Sequence, residues 1–300
     1  MAELNTVEFR AMGGPCRVVV AGGPPDLSER AQRLVAALER RWSRFRDDSE
    51  ISALNRMPGG VAIVSDETYL LVERAEAARR ATGGRFNPLM LDQLERLGYD
   101  RSWPDARREP RGPTLAAVEE PIALHPVASA VRLPSGCRFD PGGIGKGLAA
   151  DLAVELCLHH GATTVSVELG GDIRAAGVPW NGETWQITVT DPDLDAVIAT
   201  FTPAEGAVTT STTERRRWVV GDVVHHHVLD PRTGRSARTD LIAVTTCSSR
   251  AWWAQVTAKV ALMAGSAAFS QVLGELRTPG VGVTSDRRVV RTDGSMHPDD

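Results

Sequence analysis

The chain has 300 residues, 24% charged and 42% hydrophobic, with a formal net charge of -4. Those proportions fit a soluble globular protein with a sizeable core and leave little room for disorder. The faintly acidic balance argues against a general nucleic-acid binder, and no run approaches the roughly 18 apolar residues of a membrane span. The opening MAELNTVEFRAMGGP has no basic stretch leading into an apolar core, so no signal peptide is expected. Cys16, Cys137, Cys157 and Cys247 are scattered without a CxxC pair, which suits reduced thiols in the cytoplasm better than disulfides or a zinc site. The 28 glycines, by contrast, fall in clusters.

In chain order, alternation predicts a strand over Cys16–Ala21, just after Met12-Gly13-Gly14. A helix follows, capped by Ser28, with Ala31, Leu34, Val35, Leu38 and Trp42 at helical spacing. Ser43 to Ser52 reads as a polar loop ending near Asn55. A second helix runs from Ser65 to a stop at Gly83-Gly84, with Leu71, Val72, Ala75 and Ala78 inward. The charged, proline-rich stretch from Tyr99 to Pro113 reads as a surface excursion near 99–114. Cys137–Asp140 is predicted as a short strand. It leads through Pro141-Gly142-Gly143-Ile144-Gly145-Lys146-Gly147 into an amphipathic helix with Leu148, Leu152, Leu156 and Cys157 on one face. The next strand aligns Val165, Val167 and Leu169 and closes at Gly170-Gly171-Asp172. Further strands are predicted at Trp185–Thr190, Ala207–Thr210, Val223–Leu229 and Leu241–Thr246, helices at Trp252–Met263 and Ala267–Leu276, and a hairpin over Val281–Thr292. The mixture lacks a regular βαβα alternation, which favours α+β.

The loop Asp140 to Gly147 has the makings of a phosphate cradle: bare glycines, a helix start and Lys146. It is neither a Walker A loop nor GxGxxG, and a tight strand-to-helix turn with a solvated lysine explains it equally well. If the strands before Asp140 and before Gly170 are parallel neighbours, Asp140, Lys146 and Asp172 face one crevice. His225, His226 and His227 alternate in direction on a strand, so they cannot all bind one metal. A histidine beside the Asp230-Pro231 turn suits acid/base work or donation to a phosphate, while His225 and His226 read as a surface run. The hydroxyls from Thr209 to Thr213, Ser211 among them, can reach phosphate or sugar, though taken alone an ordinary strand end explains them better. Trp252 and Trp253 are expected in the core.

Taken in order, MGGP, SRFRDDSEISALN, GGRFNP, DPGGIGKGLAADLA, VELGGDI, TTS, HHVLDPRTG and AWWAQVTAK resemble the ApbE-like family of FAD:protein FMN transferases, from about Met12 to Gly265. The resemblance implies a single domain over 1–300 with an α+β, T-fold-like arrangement of mixed sheets and packed helices. It implies FAD as substrate, usually with Mg²⁺, and transfer of its FMN half to a Thr or Ser of an acceptor protein with release of AMP. Carried over, Met12, Phe45 and Arg85-Phe86-Asn87 lie along the adenosine end. Asp140, Gly142, Gly143, Lys146, Gly170, Gly171, Asp172 and Ser211 hold ribose, pyrophosphate or flavin. His227, three places before the Asp of DPRTG, is the acid/base candidate, with Lys146 sharing the electrostatic load. The family's metal site uses a glycine-turn carbonyl, here near Gly143, with Asp and Thr one helical turn apart. Gln255 stands for that Asp and Lys259 for that Thr, and Asn87 stands where Asp is common. These exchanges raise a lysine-for-metal arrangement as one hypothesis. Two alternatives to a cytoplasmic transferase are an FAD binder without transfer and a pyrophosphatase releasing FMN and AMP.

Overall fold

The computed structural model describes residues 3–102, 118, 120–179, 182–191, 196–220 and 222–292. Seven α-helices occur among the described residues: α1 (Leu27–Trp42), α2 (Glu50–Asn55), α3 (Asp66–Ala81), α4 (Leu91–Arg96), α5 (Gly145–His159), α6 (Ala251–Ala264) and α7 (Phe269–Glu275). The chain divides into two compact units. The first comprises Met1–Ala37, Lys146–Ser211 and Asp240–Asp300, the second Leu38–Gly145 and Thr212–Thr239.

The first unit is built on an eight-stranded sheet. Its order is Leu4–Ala11, Gly14–Gly22, Ala162–Leu169, Asp172–Gly177, Gly206–Thr212, Leu241–Ser248, Gly280–Thr284 and Val289–Arg291. The alternation of Val165, Val167 and Leu169 holds, and all three are fully buried. Two helices are tied to this sheet by polar contacts at its buried face. Thr246 Oγ1 donates to Ala254 O of α6 at 2.8 Å, and Arg174 Nε pairs with Asp151 Oδ1 of α5 at 3.2 Å. The hairpin Ile187–Asp191 with Ala196–Phe201 packs Ile187, Ala199 and Phe201 onto Val208 and Val281. The α+β class is therefore correct. No single helix among the described residues is long and apolar enough to cross a membrane.

The second unit carries α2, α3 and α4, a three-stranded sheet in the order Val61–Ile63, Ala130–Arg132, Ala123–His125, and two small hairpins. One core joins Met90, Leu94, Leu97, Tyr99, Trp218 and Leu229. The α3 prediction holds to its caps: Ser65 accepts from Thr68 N, and Gly84 N reaches back to Arg79 O at 2.8 Å with both glycines at positive φ.

Several expectations are corrected. α1 begins one residue before Ser28, at Leu27. Asp26 takes the boundary, with its carbonyl accepting from Arg30 N at 2.9 Å and its carboxylate from Arg30 Nε at 2.9 Å. The polar loop contains α2, capped by Ser49 accepting from Ser52 N at 3.0 Å. Cys137–Asp140 is not a strand. The Asn55 side chain engages Phe139 on both backbone groups, at 2.9 and 2.7 Å, and Asp140 N donates to Pro88 O at 2.8 Å. With those groups taken, no sheet partner is needed. On α5 the fully buried stripe is Ala149, Ala150, Ala153, Val154 and Cys157, and Leu152 and Leu156 are only half-buried. Trp252 and Trp253 are half-buried and meet edge-to-face. Tyr99 sits in the core, so no surface excursion starts there. Residues 103–117 of that stretch lie outside the described residues.

Candidate active site

The first unit gathers its candidate residues at one end of the sheet. Met12 and Gly13 both adopt positive φ and close the hairpin between Leu4–Ala11 and Gly14–Gly22. Gly170 and Gly171 do the same between Ala162–Leu169 and Asp172–Gly177. The two turns adjoin: Gly170 N donates to Pro15 O at 2.8 Å, and a Cβ on Gly14 would lie 3.1 Å from Gly170 Cα. Lys146, in the first turn of α5, reaches the same spot and pairs with Asp172 Oδ2, beside Gly170. Asp172 is 1% exposed, and its other oxygen accepts from Thr210 N at 3.1 Å. Thr210 precedes Ser211 and bonds Thr245 Oγ1 at 2.8 Å. The lysine is therefore aimed by a buried carboxylate instead of being merely solvated.

The parallel-neighbour argument does not survive. The strand Ala162–Leu169 pairs antiparallel with Gly14–Gly22 and with Asp172–Gly177, and the Gly170-Gly171 turn is a hairpin turn. Strand polarity has no part in assembling Lys146, Asp172 and the glycines. The adjoining hairpins do that.

α5 and α6 cap each other. Asp151, in the second turn of α5, accepts from Ala251 N and Trp252 N at 3.0 Å each. Gln255, in the second turn of α6, accepts from Gly147 N at 2.9 Å. Each helix thus satisfies donors that the other's first turn leaves open. Burial pushes the Asp151 carboxyl up, while those N–H groups and Arg174 pull the other way. The helices meet so closely that a Cβ on Gly147 would lie 2.4 Å from Ala251 O.

This arrangement does not fit a divalent metal. Gln255 is 6% exposed, neutral, and its oxygen already holds Gly147 N. Lys259 shares its helix face one turn on. No cluster of three His, Cys, Asp or Glu that could hold a metal occurs among the described residues. Mg²⁺ prefers carboxylate and water oxygens, and this donor set has no anionic oxygen. Gln255 is accordingly reassigned from metal ligand to cap. Gly143, the other expected metal contact, is a buried glycine of the second unit, one residue before Ile144 N donates to Pro141 O at 3.1 Å.

The second unit holds the remaining candidates. Asp140 is held by Arg44 Nε at 3.0 Å, with both side chains largely buried. Arg44 also donates to Tyr99 O at 3.0 Å and lies over the rings of Phe45 and Tyr99 at 4.2 and 4.7 Å. In the sequence Arg44 carries no signal of this role, because one arginine in a polar loop shows no period. The Asp140 carboxylate folds over Gly142, where a Cβ would lie 3.0 Å from Oδ2. In the GGRFNP segment, Arg85 is exposed and Phe86 is 2% exposed. The Phe86 ring therefore belongs to the interior, a correction to its expected place along a ligand. Asn87 Oδ1 accepts from Leu89 N at 2.9 Å and shapes the turn.

The histidine tract is tethered. His226 ends the strand Val223–His226, its Nδ1 accepts from Val228 N at 3.3 Å, and its Nε2 faces Ala237 O at 3.1 Å. His226 is therefore no surface residue, and this pattern requires the neutral ring with a proton on Nε2. His225 stacks on Trp218 with ring centres 6.2 Å apart. His227 follows at a bend, half-buried. Asp230 then closes its turn by accepting from Gly234 N at 2.9 Å and, through Oδ1, from Arg232 N at 2.9 Å. Burial lowers the His226 pKa below its ordinary 6.5. A histidine depressed in the fold contributes stability above the unfolded value and loses it as pH falls through that range, because the unfolded chain gains the proton first. Melting temperature should therefore drop as pH falls below 6.5, and more shallowly in His226→Gln, which keeps a donor and an acceptor without titrating. Parallel pH curves for the two proteins would remove His226 from this role.

Comparison with known proteins gives the family. The model of the ApbE family matches residues 12–282. The FAD:protein FMN transferase of Treponema pallidum is 30% identical over 310 residues, covering 93% of this chain and 84% of that protein. The one from Klebsiella pneumoniae is 27% identical over 244 residues, covering 79% and 75%. The crystal structure of the ApbE protein from Thermotoga maritima superposes with a TM-score of 0.84 at 26% identity, covering 97% of each chain. The family match takes in both glycine hairpins, the α5 loop, the histidine turn and α6, and by that extent the chain belongs to the ApbE family.

Proposed function

We propose that this chain is an FAD:protein FMN transferase, binding FAD and moving its FMN half to a Thr or Ser hydroxyl of an acceptor protein. The acceptor oxygen forms a bond to the FMN phosphorus, the pyrophosphate P–O bond breaks, and AMP leaves. The observation that carries this reading is the set built at one end of the first unit's sheet, where two glycine hairpins adjoin Lys146 held by buried Asp172. Bare glycine turns admit a ligand to backbone N–H groups, and a preorganised ammonium stabilises charge on phosphate oxygens without reorganising. Met12, Ser211 and Lys259 stand in the same unit. In the second unit Phe45, Arg85, Asn87 and Asp140 serve FAD binding, and His227 takes the acceptor hydroxyl's proton as general base. The family match runs through both units, whose segments interleave along the sequence, so we read them as one functional domain. Cys16, Cys137, Cys157 and Cys247 form no disulfide, which suits a reducing cytoplasm.

Incubation with FAD and a Thr/Ser-containing acceptor, followed by product analysis, tests the reading. AMP together with flavin-labelled acceptor is the expected result. AMP with free FMN would make the chain a hydrolase, and unchanged FAD a binder.

A further inference from the structure

We propose that the acceptor protein docks on the hairpin of Arg217–Val220 with Val223–His226, and that the segment received there is extended, apolar, and acidic just before its Thr or Ser. This rests on the flavin-transferase reading and names the chemistry of that reaction's partner.

The hairpin has one side committed to the fold and one left over. Alternation puts Trp218, Val220, Val223 and His225 on one side and Arg217, Val219, Val224 and His226 on the other. Trp218 anchors the first side. It stacks on Tyr99 with ring centres 5.5 Å apart and donates from Nε1 to Leu97 O at 2.6 Å. On the other side Val219 and Val224 are direct cross-strand partners, 66% and 49% exposed. The outward positions of a surface hairpin are ordinarily polar. Two β-branched apolar side chains facing each other in water offer a further strand the contacts that stabilise a sheet. The edges agree. Ser236 already ties the second strand, accepting from His226 N at 3.0 Å and donating to His226 O at 2.9 Å. No strand lies along the outer edge of Arg217–Val220 among the described residues, so an extended peptide can add there through its backbone.

Charge fixes the direction and the kind of partner. Arg217 is the register partner of His226, so Arg216 and His227 leave the hairpin at the same end. Arg217 is neutralised by Glu214, whose two oxygens accept from Nη1 at 2.8 Å each. Arg215 is exposed, Arg216 is half-buried, and neither enters an ion pair among the described residues. The hairpin's own acid, Asp222, stands at the opposite end, about one short strand or 10 Å away. A segment that sets its carboxylate by Arg215 and Arg216 therefore brings the next hydroxyl to the end where His227 stands. The chain's own residues 103–117 carry three arginines against two acids, the wrong charge for this place. A second copy would bring the same arginines.

Two fluorescent peptides test this on the full chain by anisotropy. One alternates Val and Glu up to a single Thr, and the other has Lys for each Glu. The native chain should bind the Glu peptide at least about tenfold more tightly, and the margin should shrink in about 0.5 M salt. Arg215→Glu with Arg216→Asp should reverse the preference, and Asp tolerates the φ of 54° that Arg216 adopts. Val219→Thr with Val224→Thr keeps the β-branched shape and so the strand, and should weaken the Glu peptide by about fivefold. Both variants should bind FAD as the native chain does. No binding of the Glu peptide, equal binding of the two peptides, an unreversed preference in the arginine variant, or native affinity in the threonine variant overturns the proposal. A native dimer that the threonine variant breaks in sedimentation would give the surface to a second copy, which also overturns it. Failure of the flavin-transferase reading looks different: the peptides are told apart as expected, yet the chain binds no FAD.

Discussion

Gly147→Ala should destabilise the fold by about 4 kcal/mol, a large share of a domain's typical total of about 5–15 kcal/mol. Helix propensity alone predicts the opposite, since alanine gains about 1 kcal/mol over glycine inside a helix. The contact decides the sign. The new Cβ would lie 2.4 Å from Ala251 O, 2.5 Å from Ala251 C and 2.6 Å from Trp252 N. All three are backbone atoms, so no side chain can rotate away. The helices must separate, which stretches the Gly147–Gln255 bond and both Asp151 caps together. Hydrogen bonds to a charged group contribute about 1.5–3 kcal/mol each, and a buried Asp151 left without its donors adds its desolvation cost. Gly145→Ala is the control. Its Cβ would meet Pro141 Cβ at an ordinary 3.6 Å, so its cost should stay within about 1 kcal/mol. Urea unfolding of both variants reads the difference, and equal losses would refute the close-crossing account.

Gly147 also shows where sequence reading stops. As letters, the clustered glycines look alike. The structure sorts them by cause. Gly170 and Gly171 are needed for positive φ in a hairpin, Gly142 for room under the Asp140 carboxylate, and Gly147 for the approach of a second helix from 104 residues later in the chain. Only the first cause leaves a local signal. The same divide runs through the fold. α3 is legible from end to end because its period, its Ser65 cap and its glycine stop are all local. Cys137–Asp140 looks like a strand, and only the Asn55 side chain, 84 residues away from Phe139, removes the need for one. α2 has six residues, too few for a period to appear. In the candidate site, Lys146, Asp172 and both glycine turns were visible as motifs. Arg44, Asp151 and Thr210 lie inside the same motifs, yet their roles are not legible there, because each acts by holding another residue, and a holding contact carries no spacing.

The histidine tract gives the largest functional effect. His227→Ala should lower the rate of FMN transfer by about 10²–10⁴-fold, the usual contribution of a general base, or about 3–5.5 kcal/mol of barrier. FAD affinity should change little, because the proton to be removed belongs to the acceptor hydroxyl. His226 is the internal comparison, since it has the same chemistry and sits one residue away. Its ring nitrogens face Val228 N and Ala237 O, so His226→Ala should cost about 1–2 kcal/mol of stability through two lost tethers. Its effect on transfer should then come with a lowered melting temperature. Added imidazole separates a base from a scaffold. A small base can enter the space left by His227→Ala and restore part of the rate, rising with pH as the neutral form accumulates. Imidazole cannot rebuild the His226 tethers, because it is not attached to the chain. A His227→Ala protein with native turnover, or one whose rate is lost in step with its stability and is not restored by imidazole, would move the proton-transfer role away from His227.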